Sequence, residues 1–226
     1  MVHDNLLVTS LSGFTALAGD RETCQRGYMI RREMNSPGED RDGFRFRGGS
    51  IALDLAATLQ GRLKPGPREL LATPQDLDRW LMSAGLVTSP PEATAADLGM
   101  AHALREAIFT LAGNLGKQPL DPSARGTLNR IAAAPAAAAV LRADGQAGWE
   151  GSAAGLLASL AREAVQLFGG DEAAHIRQCQ SPTCTLFFVD TSRSGDRRWC
   201  SMSACGNKAK VAEFRRRRQQ AAAKGA

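Results

Sequence analysis

The chain has 226 residues, of which 43% are hydrophobic, 23% charged and only 5% aromatic, with a formal net charge of +5. That is a globular composition, and its wealth of Ala and Leu leans helical. No run of about 18 apolar residues occurs, which excludes a transmembrane helix. The start MVHDNLLVTSLSGF lacks the basic first section of a secretory signal, so a cytoplasmic location is expected. Thiols stay reduced there, and clustered cysteines read as metal ligands or redox groups rather than disulfides.

Residues 1–43 are polar and end in NSPGEDRDG, which predicts a disordered or loosely attached extension. Met34 is an alternative native start, to be decided by mass spectrometry of the N-terminus. FRFRGG (Phe44–Gly49) alternates like a short strand ending in a turn. SIALDLAATLQGR then predicts a helix capped by Ser50, with Leu55 and Leu59 continuing the face begun by Ile51. In LLATPQDLDRWLMSAGL, Thr73 caps, Pro74 takes the first helical position and Asp76 closes the box. Leu77, Trp80, Leu81 and Ala84 form its stripe, and Gly85 stops it.

The same grammar recurs at Thr94 and Asp97, ahead of a stripe of Leu98, Ala101, Leu104, Ile108, Leu111 and Leu115. Asp121-Pro122 opens a shorter helix with Leu128 and Ile131 inward. AVLRADGQAGWEG predicts a hairpin turning at Asp144-Gly145. SAAGLLASLAREAVQLFGG predicts the last body helix, ended by Gly169-Gly170. The fold class expected is mainly α with small β-hairpins (α+β): a helical domain over 44–174, then a treble-clef-like four-cysteine module over 175–220 and a tail over 221–226. No phosphate loop, nucleophile elbow or paired His is found. His102 has no ligand-spaced partner, and an enzyme is not expected.

Four of the five cysteines lie near the C-terminus, as Cys179-x4-Cys184 and Cys200-x4-Cys205; Cys24 stands apart. Two close pairs separated by a hairpin-sized segment suit one tetrahedral, structural zinc ion. The segment TLFFVDTSRSGDRRW is expected to make that hairpin, with a strand at Leu186–Val189, a turn at Gly195 and a return ending at Trp199. His175 is a substitute ligand by spacing, but four thiolates already fill the shell. A full shell leaves no place for a catalytic water, so the metal folds the module.

The basic charge gathers at the same end. From residue 175 onward there are 11 Lys and Arg against 3 Asp and Glu, while the rest of the chain has 17 against 20. Arg193, Arg197 and Arg198 fall between the cysteine pairs, and Lys208, Lys210, Arg215, Arg216, Arg217 and Arg218 on a helix after them. Val211 and Phe214 are expected to pack inward, leaving Lys208, Arg215 and Arg218 on a neighbouring stripe. Such a helix suits phosphates, with Asn207 and a Lys or Arg able to reach base edges. The bland alternative is a solvated helix end whose arginines complement the helix dipole.

At these residues CQSPTC, FVDTSR, RRWCSM and CGNKAKVAEFRRRR resemble the CGNR zinc finger. Upstream, GGSIALDLAATL, ELLATPQDLDRWLMSAGL and ALREAIFTL resemble the ABATE domain that precedes this finger in bacterial proteins. The resemblance spans roughly residues 44–218. It implies a stress-induced transcription regulator, with zinc on Cys179, Cys184, Cys200 and Cys205 and DNA bound by the finger. Lys208 departs from the family's Arg: charge is kept, but the bidentate fork is lost. The body is expected to sense a small-molecule effector, form a homodimer or hold the finger. The alternative to a DNA-binding regulator is a zinc-stabilised module for a protein or RNA partner.

Overall fold

Local capping decides where most of the helices begin. The structure is a computed structural model that describes residues 39–224; the expectations for Met34, Cys24 and the rest of 1–38 lie outside the described residues. Strands β1 (Glu39–Arg41) and β2 (Phe44–Phe46) form an antiparallel hairpin that takes in the end of the expected extension. Asp42 and Gly43 have φ of 48° and 80°, the left-handed pair that a tight two-residue hairpin requires. Phe44 and Phe46 are buried, and Phe46 stacks on Trp80.

Helix α1 (Ile51–Ala56) is buried along its whole length and is shorter than its periodicity suggests. Thr58 returns both its amide and its hydroxyl to the Leu55 carbonyl, which closes the last turn. Leu59 therefore leaves the helical face and joins β3 (Leu59–Gln60), paired with β4 (Arg68–Glu69). Ser50 stands at the N-cap without capping, because its hydroxyl donates to Glu163 Oε1 at 2.9 Å.

Helices α2 (Pro74–Ser83) and α3 (Ala95–Gly113) both carry complete capping boxes, Thr73 with Asp76 and Thr94 with Asp97. Helix α4 (Pro122–Ala132) is capped by Asp121. The hairpin β5 (Ala138–Leu141) to β6 (Ala147–Glu150) turns through Gly145 at φ 79°. Helix α5 (Ala153–Gly169) runs up to Gly170. Helices α3, α4 and α5 pack on one another, and α1 is wedged against α3 and α5. The expected stripes supply this core: Leu77, Trp80, Leu81, Leu104, Ile108, Leu157 and Leu160 are fully buried. His102 is satisfied locally, its Nε2 lying 2.9 Å from the Leu71 carbonyl.

One buried cation also serves the body. Arg105 forks onto Glu69, with contacts of 2.6 and 2.8 Å that tie α3 to β4. Burial pushes the Glu69 carboxyl up, but the bonds from Arg105 and the Leu71 amide outweigh it and hold it below its ordinary value.

After a 3-10 turn at Asp171–His175 the chain forms β7 (Ile176–Gln178) and β8 (Phe187–Val189), then a π-helical turn at Met202–Gly206 that leads into α6 (Asn207–Lys224). Helix α6 continues through the start of the expected tail. This module leans on the body: the Val189 amide donates to the Gly48 carbonyl at 2.8 Å, and Phe187 meets Phe109 edge-on at 5.3 Å. Gly48 lets this turn close on the start of α1, since a Cβ there would stand 2.7 Å from Leu53 Cβ, and Gly49 beside it lies against Val189. Among the described residues, which all fall in one compact unit, the fold is mainly α with four separate two-stranded sheets.

Candidate metal centre and nucleic-acid interface

The first cysteine pair sits in the loop of the β7–β8 hairpin. The Cys179 amide donates to the Leu186 carbonyl at 2.9 Å and the Cys184 amide to Ser181 at 3.0 Å, which bends both thiols to one side. This corrects the expected hairpin. Strand β8 pairs with β7, ahead of the first cysteine, and the return from Gly195 to Trp199 is not a strand. Sequence pattern marks an apolar strand but does not name its partner, and Ile176–Gln178 is too short to show a period. The return is held instead by the Gln180 amide, which donates to the Arg198 carbonyl at 2.9 Å.

The second pair is placed by Ser201. Its hydroxyl accepts from the Ala204 amide at 3.3 Å, and its carbonyl accepts from both Cys205 and Gly206, which makes the π-helical turn. Cys200 precedes this turn and Cys205 lies within it, at the start of α6, where helix amides favour negative charge.

All four thiols are buried and unpaired as disulfides. Their sulfurs lie within 4.8 Å of one another, with Cys184 to Cys200 at 3.9 Å and Cys200 to Cys205 at 3.7 Å. A tetrahedron of sulfurs about 2.3 Å from a zinc ion has edges of about 3.8 Å. The donor set thus fits a tetrahedral thiophilic ion. The Cys179 thiol is pulled down to about 2 by hydrogen bonds from Cys184 and Cys200. Cys184 is pushed up to about 11 by its bond to Cys179, and Cys200 is pushed up by its bonds to Cys179 and Cys184. An ionised Cys179 thus disfavours ionisation of Cys184 and Cys200, and a divalent cation bound among them would favour the thiolate form of all.

Residues 49–171 match the family model ABATE, described as "Putative stress-induced transcription regulator". Residues 175–218 match the CGNR zinc finger. The chain belongs to the ABATE family. A search of the curated proteins finds no match.

Within the CGNR finger the loop between the cysteine pairs is organised by Asp190, a residue that sequence reading did not single out. Its Oδ1 accepts from the Ser192 amide at 3.0 Å and from the Ser192 hydroxyl at 2.6 Å, and its Oδ2 accepts from the Arg197 amide at 2.8 Å. The available signal was an Asp directly after an apolar strand and followed by Thr-Ser, the pattern of a side chain that closes its own turn.

The basic residues divide by occupation. Arg197 is turned into the finger: its Nε donates to the Trp199 carbonyl at 2.8 Å, its Nη2 donates to the Cys200 carbonyl, and the guanidinium lies 4.5 Å over the Phe188 ring. Arg198 bonds Gln180 Oε1 at 2.8 Å and lies over Trp199, while Arg193 is exposed. On α6, Asn207, Lys208 and Arg215 share one face. Asn207, Lys208, Lys210, Arg215, Arg216, Arg217 and Arg218 are all exposed. Arg216 and Arg217 share Glu213, at 2.6 and 2.7 Å. Such surface pairs are worth little and leave both cations available. The expectation that Val211 and Phe214 pack inward is overturned, since they are 49% and 61% exposed. Helix α6 contacts the π-helical turn at its start and projects beyond it, which leaves both side chains exposed among the described residues.

Proposed function

We propose that this protein is a zinc-dependent, DNA-binding transcription regulator acting in the cytoplasm at the nucleoid, responsive to stress, with the finger engaging duplex DNA and the body holding the finger in place. The observation that carries this reading is the junction of metal centre and helix. A tetrathiolate corner launches an 18-residue helix whose Lys208, Lys210 and Arg215 to Arg218 face solvent. At 1.5 Å per residue it extends about 27 Å, longer than the width of a major groove, about 12 Å. The bond between Val189 and Gly48 supports the holding role of the body. Among the described residues no helix is long and apolar enough to cross a membrane.

The test is duplex binding by fluorescence anisotropy across a salt series, on reduced chain carrying one equivalent of zinc by metal analysis. Six phosphate contacts would lower affinity by about 10³ between 50 and 200 mM salt. Changing Arg215–Arg218 to Ala should remove most of the binding and flatten the salt slope by about one for each phosphate no longer neutralised. Absence of duplex affinity at low salt, with zinc loaded, overturns the reading. A second reading, a zinc-stabilised docking module for a protein or RNA, is favoured by the exposure of Val211 and Phe214 beside those cations. It gains where duplex binding fails and Phe214→Ala removes capture of that partner.

A further inference from the structure

Between the body and the finger lies a cleft of about 230 Å³. Its lining carries five cations and no carboxylate: Arg45, Arg47, Lys64 and Arg68 from the body, and Lys208 from the finger. Arg47 is the deepest of them, its side chain only 10% exposed. It spends one nitrogen on Asp40, at 2.6 Å, and leaves its buried Nε without a hydrogen-bond partner. Arg45, Lys64, Arg68 and Lys208 form no ion pair among the described residues. A buried donor without an acceptor is costly, and so is a concave wall of one sign of charge.

The metal centre does not account for this charge. Cys184 and Cys205 border the same cleft, and a divalent ion on four thiolates carries two negative charges. Those cancel two of the five positive charges, and Asp40 cancels a third. Two remain, on walls where Thr183 adds a hydroxyl. The charge left over and the hydroxyl match a tetrahedral oxyanion.

We infer that the cleft is a binding site for a phosphate group, shared between the body and the finger. The phosphate belongs either to a free phosphorylated small molecule or to the DNA backbone. In both cases its occupancy draws Arg68 and Lys208 onto one anion, and so couples the body to the first turn of α6. Lys208 suits this role, since an ammonium meets a phosphate as a point charge without needing a fork. The inference does not depend on duplex binding, because the small anion is tested by itself.

The experiment is calorimetric titration of the full-length, metal-loaded chain with pyrophosphate and, separately, inorganic phosphate at matched ionic strength, with metal content measured before and after. Wild type should bind pyrophosphate. The double variant K64Q/R68Q, at two exposed positions, should keep its circular dichroism and its metal but bind about tenfold more weakly. R47Q should lose binding more fully; where it fails to fold, K64Q/R68Q decides. No binding of either anion to wild type at about 10 mM, or equal affinity in K64Q/R68Q, overturns the site. Competition names the source. If pyrophosphate displaces duplex and K64Q/R68Q weakens duplex binding, the phosphate is that of the DNA backbone. If duplex binding is absent or unmoved while pyrophosphate binds, it is a free phosphorylated molecule.

Discussion

Asp190 shows how much of the finger depends on one carboxylate. It is buried between a strand and a loop that runs on to Arg197, and it accepts three hydrogen bonds from that loop. The bonds from Ser192 and Arg197, aided by the charge of Arg177, hold its carboxyl below the ordinary value. Asp190→Ala should destabilise the finger by about 2 kcal/mol or more, because the Ser192 and Arg197 amides lose their acceptor. The sign of the pH effect follows from the lowered value. The stabilisation is complete above the unfolded value of about 3.9 and is lost as pH falls through the lower folded one. Thermal melts of wild type and D190A from pH 7 to pH 3 should therefore differ most near neutrality and converge in acid. A gap that stays constant down to pH 3 would show that the charge of Asp190 is idle.

The elements divide according to whether their determinants are local. The starts of α2, α3 and α4 were legible because Thr73, Thr94 and Asp121 cap within three residues, and the side chain that caps is adjacent in sequence. The four thiols were legible because spacing alone brings each pair to one side. Three features were not. The end of α1 is set by Thr58 bonding back to Leu55, the partner of β8 by a three-residue strand, and the exposure of Val211 and Phe214 by the way α6 projects past the π-helical turn among the described residues. Periodicity reports that Val211 and Phe214 share a side of a helix; it does not report what faces them. The distinction is measurable. A Phe packed against a core costs about 3–5 kcal/mol on truncation to Ala, whereas an exposed one changes stability by less than about 0.5 kcal/mol. Phe214→Ala should leave the melting temperature nearly unchanged, while Thr94→Ala, far from the finger, should cost about 1 kcal/mol.

At the scale of the molecule, the question is whether the finger is a bead on a linker or part of the body's own structure. The contacts favour the second. The Val189 amide is satisfied by Gly48 across the boundary, Phe187 meets Phe109 of α3, and Ala57, just past α1, packs into the buried cluster that contains all four cysteines. A metal held by the four thiols would meet them together only in the folded chain, so its binding energy would be folding energy. Because α1 is buried between α3, α5 and β8, that energy is transmitted past the finger. Chelation of the metal should lower the melting temperature of the whole chain. It should also raise amide exchange at Val189 in the finger and across Gly48–Ala57 in the body, with the distal α4 and the β5–β6 hairpin changing least. A bead on a linker would behave otherwise: exchange would rise from residue 175 onward and the body would melt as before. Phe187→Ala discriminates further. It removes an aromatic contact without touching a ligand, and it should still speed metal loss to a chelator, since the β7–β8 loop that carries Cys179 and Cys184 is held against the body by that ring. Metal retention is then a property of the docked pair, and a signal that loosens the body at Gly48–Ala57 has a direct physical route to the helix that carries the cations.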